Sequence, residues 1–133
     1  MLYAPLHVHS WYSLLEGVDS PEQLVRQAAA CGYRSLALTD TNALYGVVAF
    51  RDAAAHWGVR PIMGATLDVA GQRCVALVAD RTGYENLCRL ITAIQLGQES
   101  TACDGEEARR SWTSPLARLI PPLAGGLHVL TAN

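Results

Sequence analysis

Two histidines, His7 and His9, sit two residues apart just after a short apolar run at the head of the chain, in LYAPLHVHS. Zinc, manganese and iron accept imidazole nitrogen, and an ion held by imidazoles and carboxylates can activate water for phosphoester hydrolysis. Two carboxylates are placed to join them: Glu16 in the segment leaving the histidines, and Asp40 at the end of a later apolar run, with Thr66 in or just beyond a third. Each residue also has an ordinary reading. An H-x-H pair often satisfies only local hydrogen bonds, Asp40 suits a helix or turn cap, and Glu16 before Gly17 suits a solvated loop. His56 and His128 lack partners nearby in sequence and read as structural or surface residues, while Trp11, Tyr12 and Tyr45, with no flanking basic clusters, read as packing residues.

The elements around these residues are those of an α/β chain. Tyr3 to Val8 reads as a first buried strand, which would project His7 and His9 from one face, since strand side chains alternate. Ser20-Pro21-Glu22-Gln23 reads as a helix start, with Gly32 as its C-terminal cap, and Arg34 to Asp40 as a second buried strand. Strand, helix and strand at this spacing predict a βαβ unit of a parallel sheet. Ala43 to Trp57 has helical periodicity and ends at Gly58. Val59 to Val69 and Cys74 to Ala79 read as strands around a turn at Ala70-Gly71-Gln72-Arg73, followed by a helix over Thr82 to Leu96 and a last strand over Leu127 to Leu130. In parallel α/β architectures, strand C-terminal ends collect ligands, and His7, His9 and Asp40 lie at such ends.

Length and composition fit one domain over residues 1–133, with a polar loop at about 97–114 expected to be mobile. Half the residues are hydrophobic and only 17% are charged, so part of the surface is expected to meet something outside this chain. A formal charge of -2 supplies no field for autonomous nucleic-acid binding. The small basic and aromatic group Arg109, Arg110 and Trp112 is opposed by Glu106 and Glu107. Cys31, Cys74, Cys88 and Cys103 form no C-x-x-C pair, which argues against a zinc knuckle and suits a reducing, cytoplasmic setting. No stretch reaches the roughly 20 apolar residues of a membrane span. The chain stops just past its last strand, where a barrel would supply another loop and helix, and so reads as truncated.

Four ordered segments, HVHSWYSLLEG, LALTDTNALYGVVAF, GVRPIMGATLDV and LVADRTGYENLCRLIT, together with the GLHVLTAN ending, resemble the polymerase and histidinol phosphatase (PHP) domain, in particular the N-terminal PHP domain of bacterial DNA polymerase III alpha subunits of replicative or error-prone type. The resemblance implies a distorted, TIM-like (βα) barrel of which this chain is a partial, truncated version. It also implies up to three metal ions, zinc or manganese, and phosphoester hydrolysis in active members. In polymerases it implies a proofreading or stabilising role beside the polymerase region. His7 and His9 match the first motif's ligands, Glu16 the acidic position of LLDG, and Asp40 the aspartate of TDH. Two family ligands are replaced here: a histidine by Thr41 and a glutamate by Thr66. A hydroxyl is a poor donor to such ions at neutral pH, so any zinc or manganese is expected to be weakly held or absent.

The function this supports is a structural and interaction module with a degenerate metal site, lacking the polymerase chemistry itself. Its expected partners are the remaining PHP and polymerase segments or a second copy of itself, with no membrane and no nucleic acid bound autonomously. The enzymatic alternative is a metal-dependent phosphoesterase or 3′-5′ exonuclease using His7, His9, Glu16 and Asp40.

Overall fold

The first helix begins where the sequence places it. In the computed structural model, which describes residues 3–97 and 115–131, α1 runs Pro21–Ala30. The Ser20 hydroxyl accepts from the Gln23 N–H at 3.2 Å, and the Gln23 side chain accepts from the Ser20 N–H at 2.9 Å. This reciprocal cap satisfies two helix-end donors, and Pro21 fits the first turn because its missing N–H would have had no partner. Ser20→Ala should therefore lower unfolding stability by about 1 kcal/mol. Urea titration should show this as an earlier midpoint with an unchanged slope.

The remaining elements are β1 Ser35–Leu38, α2 Val47–Trp57, β2 Arg60–Val69, β3 Gln72–Val78, α3 Arg81–Gln95, α4 Pro115–Leu119, a 3₁₀ turn Pro121–Leu123, and β4 Leu127–Leu130. The polar loop expected at 97–114 lies, beyond Gly97, outside the described residues, as do Arg109, Arg110, Trp112 and Cys103.

Three expectations need correction. Tyr3 to Val8 is not a regular strand, although it runs beside β1. Ala37 N–H donates to Pro5 O at 2.9 Å and Thr39 N–H to Val8 O at 2.8 Å, so a step of two residues on β1 spans three on the N-terminal segment. The Val8 N–H turns to the Thr39 hydroxyl at 2.9 Å instead. One surplus residue breaks the ladder as a bulge does. The helix expected from Ala43 starts only at Val47, because Thr41 pairs with Thr66 and the Asn42 side chain donates to Asp68 O at 2.8 Å. Those contacts hold the backbone beside β2.

The third difference is an open sheet where a partial barrel was expected, and the expected hairpin lies within it. The sheet has the order β1-β2-β3-β4, and only β1 and β2, joined through α2, are parallel. β2 pairs antiparallel with β3, and β3 with β4. The connection Ala70-Gly71 has φ of 51° and 80°, the left-handed geometry of a two-residue hairpin turn, which reverses the chain at once and leaves no room for a crossover. The α/β class stands, but the sheet is open and closes no barrel among the described residues.

The alternation of side chains decides where the site can be. Leu36, Leu38, Leu67 and Ala76 share one face, and their clusters include Val25 of α1, Phe50 of α2, Leu87 and Leu90 of α3, and Leu116 of α4. The helices thus cover that face. The opposite face carries Ala37, Val75 and Leu77, which form a separate small cluster, and further along the hairpin Thr66, Asp68 and Arg73. No helix of the described residues is long and apolar enough to cross a membrane.

Candidate metal centre

His7 and His9 do share a face, and their rings touch. Nε2 of one lies 2.9 Å from Nε2 of the other, with ring centroids 4.8 Å apart. The inner nitrogen of His9 is 3.0 Å from the Ser13 hydroxyl. Ser13 is buried and donates to Asp40 Oδ1 at 2.7 Å, while the Thr41 N–H donates to Ser13 at 3.0 Å. A hydroxyl has one proton, and with that proton on Asp40 the oxygen can only accept from His9. The network therefore assigns His9 the Nδ1–H tautomer, leaving its Nε2 lone pair to accept from His7.

Asp40, only 2% exposed, is a hub rather than an open ligand. Besides Ser13 it accepts from the Ser10 N–H and the Ser10 hydroxyl, each at 2.7 Å. It thereby ties the start of the 10–17 loop to the end of β1. Within that loop Leu15 sits at φ 64°, a left-handed conformation that costs a residue with a Cβ about 1–2 kcal/mol. The next residue, Glu16, turns to Thr41, whose hydroxyl donates to its Oε2 at 2.6 Å, and to Arg73, whose Nη1 lies 2.5 Å from Oε1. Arg73 Nε also reaches Asp68 Oδ2 at 2.7 Å.

The sequence-derived candidates thus divide. His7 and His9 meet each other, Asp40 reaches His9 only through Ser13, and Glu16 stands 3.6 Å from His9 Nδ1. Thr41 and Thr66 both act as donors, Thr66 to the Thr39 carbonyl at 2.9 Å. Ser10, Ser13, Asp68 and Arg73 were not anticipated. Ser10 and Ser13 bracket Trp11-Tyr12, and small hydroxyl residues directly after paired histidines were the available signal. Trp11, Tyr12 and Tyr45, expected to be packing residues, form a chain of edge contacts on each other yet remain substantially exposed.

The profile of the PHP domain matches residues 5–130. The chain belongs to the PHP domain family. Curated relatives are error-prone DNA polymerases: that of Anaeromyxobacter sp. (strain K) is 41% identical over 96% of this chain, and that of Mycobacterium bovis 42% identical over 97%. The chain spans about an eighth of their length, 12% in each case. Among solved structures, this PHP domain is similar to a protein of Bifidobacterium adolescentis assigned as a metal-dependent phosphoesterase (18% identity, TM-score 0.56, 91% of this chain and 50% of that one). It is also similar to an amidohydrolase of Chromobacterium violaceum (23% identity, TM-score 0.57, 92% and 50%). At these identities the likeness is one of fold.

Among the described residues no three His, Cys, Asp or Glu side chains converge on one point, whereas catalytic zinc uses three protein ligands.

The same network sets the pH response of the PHP domain. Burial lowers the His9 pKa below its ordinary 6.5, against the pull of Glu16, with the like charge of His7 adding to the lowering. Just below 6.5 the unfolded chain therefore binds more protons than the folded one, and stability contributed by neutral His9 declines as pH falls. Thr41, then Arg73, lower the Glu16 pKa from 4.5, so its contribution is held above 4.5 and lost as pH drops through the folded value. Urea unfolding from pH 8 to 5 should show stability decreasing in the parent. His9→Gln should flatten that decline, and an equally steep profile in the variant would refute the assignment.

Proposed function

We propose that this chain is the N-terminal PHP region of an error-prone-type DNA polymerase and works as a structural and interaction module of replication or repair synthesis in the cytoplasm, not as a hydrolase. The observation that carries this reading is the occupancy of its carboxylates. Asp40 already accepts from Ser10 and Ser13, and Glu16 from Thr41 and Arg73, so an ion would compete with these donors for both carboxylates. The site is then a degenerate one in which zinc or manganese is weakly held or absent. The open sheet forms the first part of a distorted, TIM-like (βα) barrel, and the remaining PHP and polymerase segments complete it. Two facts support this: the chain covers half of each structural neighbour and about an eighth of each curated relative.

The test is turnover and assembly together. With manganese or zinc added, the purified chain should hydrolyse neither p-nitrophenyl phosphate nor the 3′ end of a single-stranded oligonucleotide. Light scattering should show self-association, or binding to a separately produced remainder of the polymerase. Metal-stimulated turnover that disappears in the His7→Ala, His9→Ala double variant would instead establish the phosphoesterase or exonuclease reading. A stable monomer indifferent to the polymerase remainder would remove the module reading.

A further inference from the structure

The 10–17 loop and the β2–β3 hairpin meet through one cation. Glu16 and Asp68 come from separate parts of the chain, and both present a carboxylate to the same space. Between them stands the guanidinium of Arg73, with Nη1 on Glu16 at 2.5 Å and Nε on Asp68 at 2.7 Å. Asp68 is itself fixed. It faces Arg73 across the antiparallel ladder, its N–H donates to the Asn42 side chain at 2.9 Å, and its second carboxylate oxygen accepts from the Gly71 N–H at 3.2 Å. Thr41 completes Glu16 from the other side at 2.6 Å. The imidazole of His9 lies 3.6 Å from the same Glu16 oxygen that Thr41 holds.

We propose that Arg73 is the resident cation of this centre, bridging Glu16 and Asp68 with a single positive charge where a metal-dependent site would use a divalent ion. The inference rests on the degenerate-site reading above and adds what replaces the ion. A guanidinium suits the task for two reasons. Its planar fork offers separate N–H groups to two carboxylates, and it does not lose its proton in the physiological range. The clasp between loop and hairpin is then built into the chain, independent of ion supply. Removing Arg73 would leave Glu16 and Asp68 as two uncompensated carboxylates, oxygen donors of the kind manganese accepts.

The experiment compares the parent chain with Arg73→Gln, Glu16→Gln and the double variant, each melted with EDTA and with 1 mM manganese. The parent midpoint should be the same in both conditions. Arg73→Gln should melt a few degrees lower in EDTA, a modest shift because the pair is half exposed. Manganese should raise the midpoint of Arg73→Gln but not that of the double variant, which lacks one carboxylate. The double variant in EDTA should fall by less than the two single shifts combined. A parent midpoint that rises with manganese, or an Arg73→Gln midpoint that equals the parent's, overturns the inference. If Arg73→Gln cannot be recovered folded, calorimetric titration of manganese into the parent decides. No binding tighter than about 100 μM is expected, and micromolar binding would mean that the centre takes an ion with Arg73 present. Turnover is not read in these melts, so failure here leaves the module reading to its own test.

Discussion

Replacing Asp40 with alanine should lower unfolding stability by about 3–5 kcal/mol, because it leaves the buried donors of Ser10 and Ser13 facing empty space. The carboxylate accepts from the Ser10 N–H, the Ser10 hydroxyl and the Ser13 hydroxyl, each at 2.7 Å. Hydrogen bonds to a charged acceptor contribute more than neutral ones, and unsatisfied buried donors add their desolvation cost. Asp40→Asn should be milder, since the amide oxygen can still accept from two donors while the Ser10 hydroxyl turns its proton aside. The measurement is denaturant unfolding of metal-free protein. A residue serving only as a metal ligand would leave that stability unchanged, so a loss under 1 kcal/mol would show that the loop does not depend on this carboxylate. Asp40→Ala should also release the His9 tautomer, seen as a change in the ¹⁵N shifts of its ring.

Gly17→Ala should cost about 2–3 kcal/mol for a single added methyl. A Cβ at this position would lie 2.1 Å from Ser10 O, 2.5 Å from Ser10 C and 2.8 Å from His9 O. These are main-chain atoms and cannot rotate aside, so the loop has to widen. Widening pulls Ser10 from Asp40 and carries His9 away from His7. The expected signature is a lowered urea midpoint together with loss of the cross-peak between the two imidazoles. An unaltered midpoint would mean that the loop accommodates the methyl without opening.

The parts of the fold that were legible were those governed by neighbours in sequence. Ser20-Pro21 with Gln23 fixes the start of α1, Gly58 at φ 67° ends α2, and Ala70-Gly71 reverses β2 into β3. The pairing of His7 with His9 also follows from close spacing. The donors around Asp40 were less legible, because sequence shows which groups can accept but not which hydroxyls will be aimed at them. Arg73 was placed in a turn, and its role depends on register: only the pairing of residue 73 with residue 68 puts a guanidinium between Asp68 and Glu16. The irregular course of residues 3–8 was hidden for a similar reason. Its apolar pattern is that of a strand, and the surplus residue shows only when the hydrogen bonds to β1 are counted.

β2 gives its first residues, Arg60 to Met63, to β1 and its later ones, Gly64 to Val69, to β3. The same strand thus hydrogen-bonds β1, whose Leu36 and Leu38 belong to the cluster packed by α1 and α2, and lines the cluster packed by α3 and α4 with Ala65, Leu67 and Val69. Loss of β2 would strip β1 of its ladder partner and the second cluster of three buried side chains at once, which couples the two halves of the described fold through one strand.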